Sequence, residues 1–203
     1  MQNLSAYIKS KAMSNSFQPD IEESLRVLHS GGIILYPTDT IWGIGCDATN
    51  TEAISRIYKL KTRADQKSMI ILVAEERDIL QYVAAPDLSV FDYLEKVTKP
   101  TTVIYEHAIG LADNLINKDG SIAIRICKDE FCRHLIKRFR KPIVSTSANI
   151  SGEASPAFFD EVSPVIKDGV DYVVHHRQDD RKPASASSII RWNKDATITV
   201  IRP

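Results

Sequence analysis

Apolar residues in this chain come in short runs, and that feature most limits what it can fold into. Runs over 33–36, 69–74, 102–105, 122–126 and 143–147 have the length of strands, and several are wholly apolar, as strands covered on both faces are. Further strands are predicted over 172–174, 188–192 and 198–201, the last with alternating polarity. None approaches the roughly 18 residues that cross a bilayer, and no signal-peptide core opens the chain. A cytoplasmic protein without a membrane partner is expected.

Helical spacing fills the gaps. Pro19-Asp20 opens one helix, with Asp20 as expected N-cap and Glu23 completing a capping pattern; it ends at Gly31-Gly32. A capping box over Thr49-Asn50-Thr51-Glu52 starts another, whose Ile54, Ile57 and Tyr58 share a face. Others are predicted over 76–83, 87–98, 129–139 and part of 157–168. Strands and helices mix without a strict βαβ repeat, which predicts an α/β (α+β) fold with a mixed sheet covered by helices. Residues 1–18, rich in Ser, Asn and Gln, read as an extension, and 19–203 as one domain, a size that suits one core in a chain that is 43% hydrophobic.

Charge narrows the function. Twenty-six basic side chains balance 26 acidic ones, so no global field draws the chain to nucleic acid or membrane, and any anion site must be local. The cysteines, Cys46, Cys127 and Cys132, have no zinc spacing and read as reduced thiols; no metal-ligand set is predicted.

Three polar segments interrupt the apolar pattern. Thr38-Asp39-Thr40-Ile41-Trp42-Gly43-Ile44-Gly45 follows the first strand and reads equally as a ligand loop or a tight turn. Lys59, Lys61, Arg63 and Lys67 gather at a helix C-terminus, where cations favour the macrodipole but also suit phosphate. Ser145-Thr146-Ser147-Ala148-Asn149-Ile150-Ser151-Gly152 follows an apolar strand and resembles a strand-end ligand loop. Walker, dinucleotide and H-E-x-x-H motifs are absent, as is a G-x-S-x-G elbow, so nucleotide binding here would be of another kind. A basic run, Arg133 to Lys141, reads as a solvated helix face, with RNA contact as the alternative.

Together the segments GGIILYPTDTIWGIGCDA, KLKTR with Lys67, SIAIRI and PIVSTSANISG resemble the YrdC-like threonylcarbamoyl-AMP synthase family, in its order and near its spacing, over roughly residues 20–203. The resemblance implies a three-layer fold with a twisted mixed sheet and a concave substrate face. It implies an enzyme, a nucleotidyltransferase, joining L-threonine, bicarbonate and ATP into threonylcarbamoyl-AMP and pyrophosphate with Mg²⁺ carried on the nucleotide. A downstream transferase and tRNA are the implied partners. By motif match, Lys61 and Arg63 would be catalytic. Arg63, Lys67, Ser121, Ser147, Asn149, Ser155 and Arg202 would face ATP, and Thr38, Thr40, Arg125, Ser145 and Ser187 would face threonine. Departures from the family pattern are Ala64 after KxR, Ser68-Met69, Leu72, the stretch Val97 to Thr102, and Arg191. The alternative readings are an RNA- or ribosome-binding paralogue without synthase activity and a carbamoyltransferase accessory domain.

Overall fold

The computed structural model describes residues 16–62, 69–193 and 197–203. The described strands are β1 (Ile34–Tyr36), β2 (Gly43–Gly45), β3 (Ile70–Val73), β4 (Thr101–Tyr105), β5 (Ile122–Ile126), β6 (Ile143–Ser147), β7 (Tyr172–Val173), β8 (Ser188–Trp192) and β9 (Ile198–Arg202). The helices are α1 (Gln18–His29), α2 (Thr51–Leu60), α3 (Glu76–Ile79), α4 (Ser89–Lys96), α5 (Glu130–Phe139) and α6 (Pro164–Gly169). One nine-stranded sheet runs in the order β7-β1-β2-β6-β3-β5-β4-β8-β9. The pairs β1–β7, β3–β5 and β4–β8 are parallel and the rest antiparallel, so the sheet is mixed as expected.

Strand alternation assigns the faces. Leu35, Ile44, Ile71, Val73, Ile124 and Val144 pack with Ile54, Ile57 and Tyr58 of α2 in one apolar layer. Ile34, Tyr36, Leu72, Cys127 and Ile143 point the other way, against Ile21 and Leu28 of α1 and Phe131, Leu135 and Phe139 of α5. Helices α1 and α5 cover only part of that second face. Register sets Arg125 beside Leu72, Ser145 beside Ile70 and Ser147 beside Gly43; Leu72 stays under the helices, while the others line the uncovered part. A polar floor therefore opens beside a dry core.

Caps set the helix ends. Asn50 Oδ1 accepts from the Ala53 amide at 3.0 Å to start α2, and Asp129 Oδ1 from the Cys132 amide at 2.9 Å to start α5. Asp20 corrects the expectation. Phe17 is the N-cap of α1 without a side-chain bond, and Glu23 is hydrogen-bonded to Arg26. Asp20 is instead only 6% exposed and accepts from Tyr172 Oη at 2.6 Å and from the amides of His176 and His175 at 2.8 and 3.0 Å. Tertiary donors thus took the carboxylate that local rules gave to a cap. The helix predicted over 76–83 stops at Ile79, and 157–168 divides into a short turn of 3₁₀ helix, Phe159–Glu161, and α6, which Pro164 opens.

Strand β2 lies inside what reads as a loop. Its glycines obscure it, yet one of them is required there: a Cβ on Gly45 would stand 2.4 Å from the Val144 carbonyl oxygen. Residues 1–15 of the expected extension lie outside the described residues, while Phe17 is buried and meets Phe131 edge-on at 5.7 Å.

Candidate active site

The open part of the sheet forms a cleft of about 370 Å³. Thr40, Lys61, Arg125, Ser145, Ser147, Asn149, Ser155, Ser187 and Arg202, all singled out from sequence, line it. Arg63 and Lys67 lie outside the described residues. Thr38 stands behind Thr40. Ser121 goes elsewhere: its hydroxyl donates to Asp119 at 2.6 Å and accepts from Asn117 Nδ2 at 3.0 Å, which commits it to the turn before β5.

Arg125 dominates the floor. It is 3% exposed, and its Nη2 lies 2.9 Å from Asp39 Oδ1. That contact is close enough for charge attraction but misses the direction of a hydrogen bond, so Nε and Nη2 are buried donors without an acceptor among the described residues. Buried guanidinium donors left open are costly, and a carboxylate or phosphate entering the cleft would satisfy them in fork geometry. Arg202 approaches from β9; its Nε donates to the Ser187 carbonyl at 2.9 Å and its Nη2 to Ser187 Oγ at 3.3 Å. Burial first, then the like charge of Arg125, holds the Arg202 pKa below its ordinary value. An anion between the two would relieve that repulsion. Ser187 Oγ in turn lies 2.8 Å from Thr102 Oγ1.

Lys61 has a different task from a loose cation. It is 1% exposed, and its ammonium donates to the Ser147 and Asn149 carbonyls, the latter at 2.5 Å. The Ser151 amide donates to the Lys61 carbonyl at 2.8 Å. The end of α2 and the loop after β6 are therefore one unit. Asn149 Nδ2 spends its protons on the Ile150 and Glu153 carbonyls at 2.9 and 2.8 Å, leaving Oδ1 as a buried acceptor without a donor among the described residues.

Trp42 and Gly43, which the sequence set in a candidate ligand loop without a role of their own, line the cleft beside and on β2, with Trp42 held by Phe159 at 4.8 Å between ring centroids. Sequence reasoning missed Glu153, a carboxylate of the lining, and Ile189, an apolar side chain there. The basic run on and just after α5 is partly neutralised: Lys137 pairs with Glu75, and Lys141 with Asp47 at 2.6 Å.

Among the described residues no three His, Cys, Asp or Glu side chains come together to hold a metal, and no helix is long and apolar enough to cross a membrane.

Fold and cleft together define an α/β protein with a mixed sheet and an open cleft that Arg125 and Arg202 line. The sequence model of the Sua5/YciO/YrdC family, described as telomere recombination, matches residues 26–203, and the chain belongs to that family. Among its relatives is a threonylcarbamoyl-AMP synthase of Blochmanniella pennsylvanica, 31% identical over 147 residues, 71% of this chain and 76% of that protein. Another of that name, from Vibrio campbellii, is 30% identical over 153 residues, 73% of this chain and 82% of that protein. The fold matches P. abyssi Sua5 complexed with L-threonine at a TM-score of 0.79 and 20% identity, over 90% of this chain; the chain spans 53% of that longer protein.

Proposed function

We propose that this chain is a threonylcarbamoyl-AMP synthase, an enzyme that joins L-threonine, bicarbonate and ATP and releases pyrophosphate. The observation that carries the reading is the meeting of Arg125, with its open donors, and the Lys61-bound loop Ser147–Asn149 in one cleft. The synthase names of relatives near 30% identity over most of the chain support it.

In this reading Arg125 receives the threonine carboxylate, with Thr40, Ser145 and Ser187 around the amino acid. Ser147, Asn149, Ser155 and Arg202 take the nucleotide side, where Arg63 and Lys67 would meet phosphate. The threonine amine attacks bicarbonate, giving a carbamate and water. A carbamate oxygen then attacks the α-phosphorus, and the bond to the β-phosphate oxygen breaks, so pyrophosphate leaves with its electron pair. Both reactants are anions, and fixed cations lower the cost of bringing them together. Mg²⁺ suits the donor set here: one lining carboxylate, Glu153, and hydroxyls fit an ion held mainly by the triphosphate, and when bound it neutralises phosphate charge. A downstream transferase would carry the threonylcarbamoyl group to tRNA in the cytoplasm.

The test is pyrophosphate release that requires both threonine and bicarbonate, with product analysis from labelled threonine. Arg63→Ala is expected to slow turnover by about 10²-fold, the effect of losing one preorganised charge donor. Near-normal turnover would reject that assignment, and release indifferent to threonine would reject the function.

A further inference from the structure

The turn Thr38-Asp39-Thr40 delivers Thr40 to the cleft, and its own hydrogen bonds fix what Thr40 offers. Thr38 Oγ1 gives its single proton to the Ile41 carbonyl at 2.8 Å and accepts from the Thr40 amide at 3.1 Å. The Thr40 hydroxyl, 3.0 Å away, must therefore be the donor in the contact between the two. Its proton is turned inward, so the lone pairs of Thr40 Oγ1 face the cleft. A hydroxyl so oriented accepts from an ammonium or hydroxyl group.

This orientation depends on where Thr38 is held, and the holding group comes from far along the chain. Arg177 lies in the segment between β7 and β8 with φ +67°, a conformation uncommon for a side-chain-bearing residue. Its Nη1 donates to the Thr38 carbonyl at 3.3 Å and to Asp129 Oδ2 at 2.8 Å, and its Nε to Asp180 Oδ2 at 3.3 Å. Asp129 is the residue that caps α5. One guanidinium thus ties the turn to the start of α5 without lining the cleft. The segment that Arg177 anchors then runs on to Ala186 and Ser187 in the opposite wall.

We infer that Arg177 is a positioning residue for the amino-acid side of the cleft: it fixes Thr38 so that Thr40 presents an acceptor to the α-amine of threonine. The role in threonine use rests on the synthase reading above; the placement of the turn does not. A guanidinium suits the place because three acceptors, the Thr38 carbonyl and the Asp129 and Asp180 carboxylates, are gripped at once from Nη1 and Nε of one planar group.

The experiment has two arms. In the first, amide hydrogen exchange followed by NMR compares the parent with Arg177→Gln and Arg177→Lys. The Thr40 amide is expected to exchange about 10-fold faster in Arg177→Gln, with amides of β1 and β6 unchanged and with partial recovery in Arg177→Lys. In the second, the same proteins are assayed for pyrophosphate release. The threonine KM is expected to rise about 10-fold in Arg177→Gln, while the ATP KM and kcat stay within about twofold. Unchanged exchange at Thr40 overturns the inference, as does exchange that rises across the whole sheet or a loss in kcat shared equally by both substrates. If the parent shows no threonine-dependent turnover, the synthase reading fails, and the exchange arm alone decides whether Arg177 places the turn.

Discussion

Two glycines of β2, one residue apart, should respond to the same substitution in opposite ways. A methyl added at Gly45 would sit 2.4 Å from the Val144 carbonyl oxygen, 2.7 Å from Tyr36 Cε1 and 3.0 Å from Ile143 Cγ2. The first is backbone of the neighbouring strand, which moves only if the β2–β6 pairing moves. Overpacking of this kind costs about 1–3 kcal/mol, and a rigid backbone neighbour puts Gly45→Ala at the upper end. For a chain of this size each kcal/mol lowers Tm by about 3 °C, so a fall of roughly 6–9 °C is expected. At Gly43 the added methyl meets Ser145 Oγ at 3.1 Å and otherwise nothing closer than 3.5 Å. It fits the fold but narrows the cleft that Gly43 lines. Gly43→Ala should keep stability within about 1 kcal/mol of the parent while raising the threonine KM severalfold. Thermal melts followed by circular dichroism, with the pyrophosphate assay beside them, read both effects. A Gly45→Ala protein melting within about 1 °C of the parent, or a Gly43→Ala protein destabilised as much as Gly45→Ala, would refute the steric argument.

Two further outcomes follow from buried groups. Burial alone would raise the Asp20 carboxyl, but hydrogen bonds from Tyr172, the His175 and His176 amides and the His175 ring outweigh it and hold its pKa below the ordinary 3.8. A depressed carboxyl stabilises the fold above its unfolded pKa, and the contribution fades as pH falls through the folded value. Asp20→Asn should therefore cost about 1–3 kcal/mol near pH 7, with the gap closing below about pH 4, in urea denaturation series; a gap independent of pH would contradict this. Cys46, Cys127 and Cys132 are buried, and burial raises the Cys46 and Cys132 thiols well above the ordinary range. A thiol reagent at mild alkaline pH should leave all three unmodified in the native protein and label three after denaturation, and prompt native labelling would count against the packing.

The lining of the candidate cleft was legible where polarity broke an apolar pattern. Ser145, Ser147 and Asn149 follow strand β6, Thr40 follows β1, and Arg125 stands in a strand otherwise apolar; each is a residue that core packing alone would not select. The order of strands was not legible, because β2, β3 and β6 meet through pairings between segments remote in sequence. Asp20 shows the limit of local rules: its spacing fits a cap, and only the approach of Tyr172 and His176 decides otherwise. Arg177 carries no sequence signal at all, since its partners Thr38 and Asp129 lie 139 and 48 residues away. Lys61 was found as a cation, but its two carbonyl partners depend on the loop after β6 folding back over α2.

Strand β9 is the outermost ribbon of the sheet beyond β8, and Val200 and Ile201 are more than half exposed on it. Such margins open and close more often than the interior does. Arg202 rides on that margin, so each fraying event withdraws one of the two guanidiniums that line the cleft among the described residues. In the proposed function, where Arg202 meets the nucleotide, occupancy of the site and closure of the sheet's border would be a single equilibrium, with a bound anion latching the border.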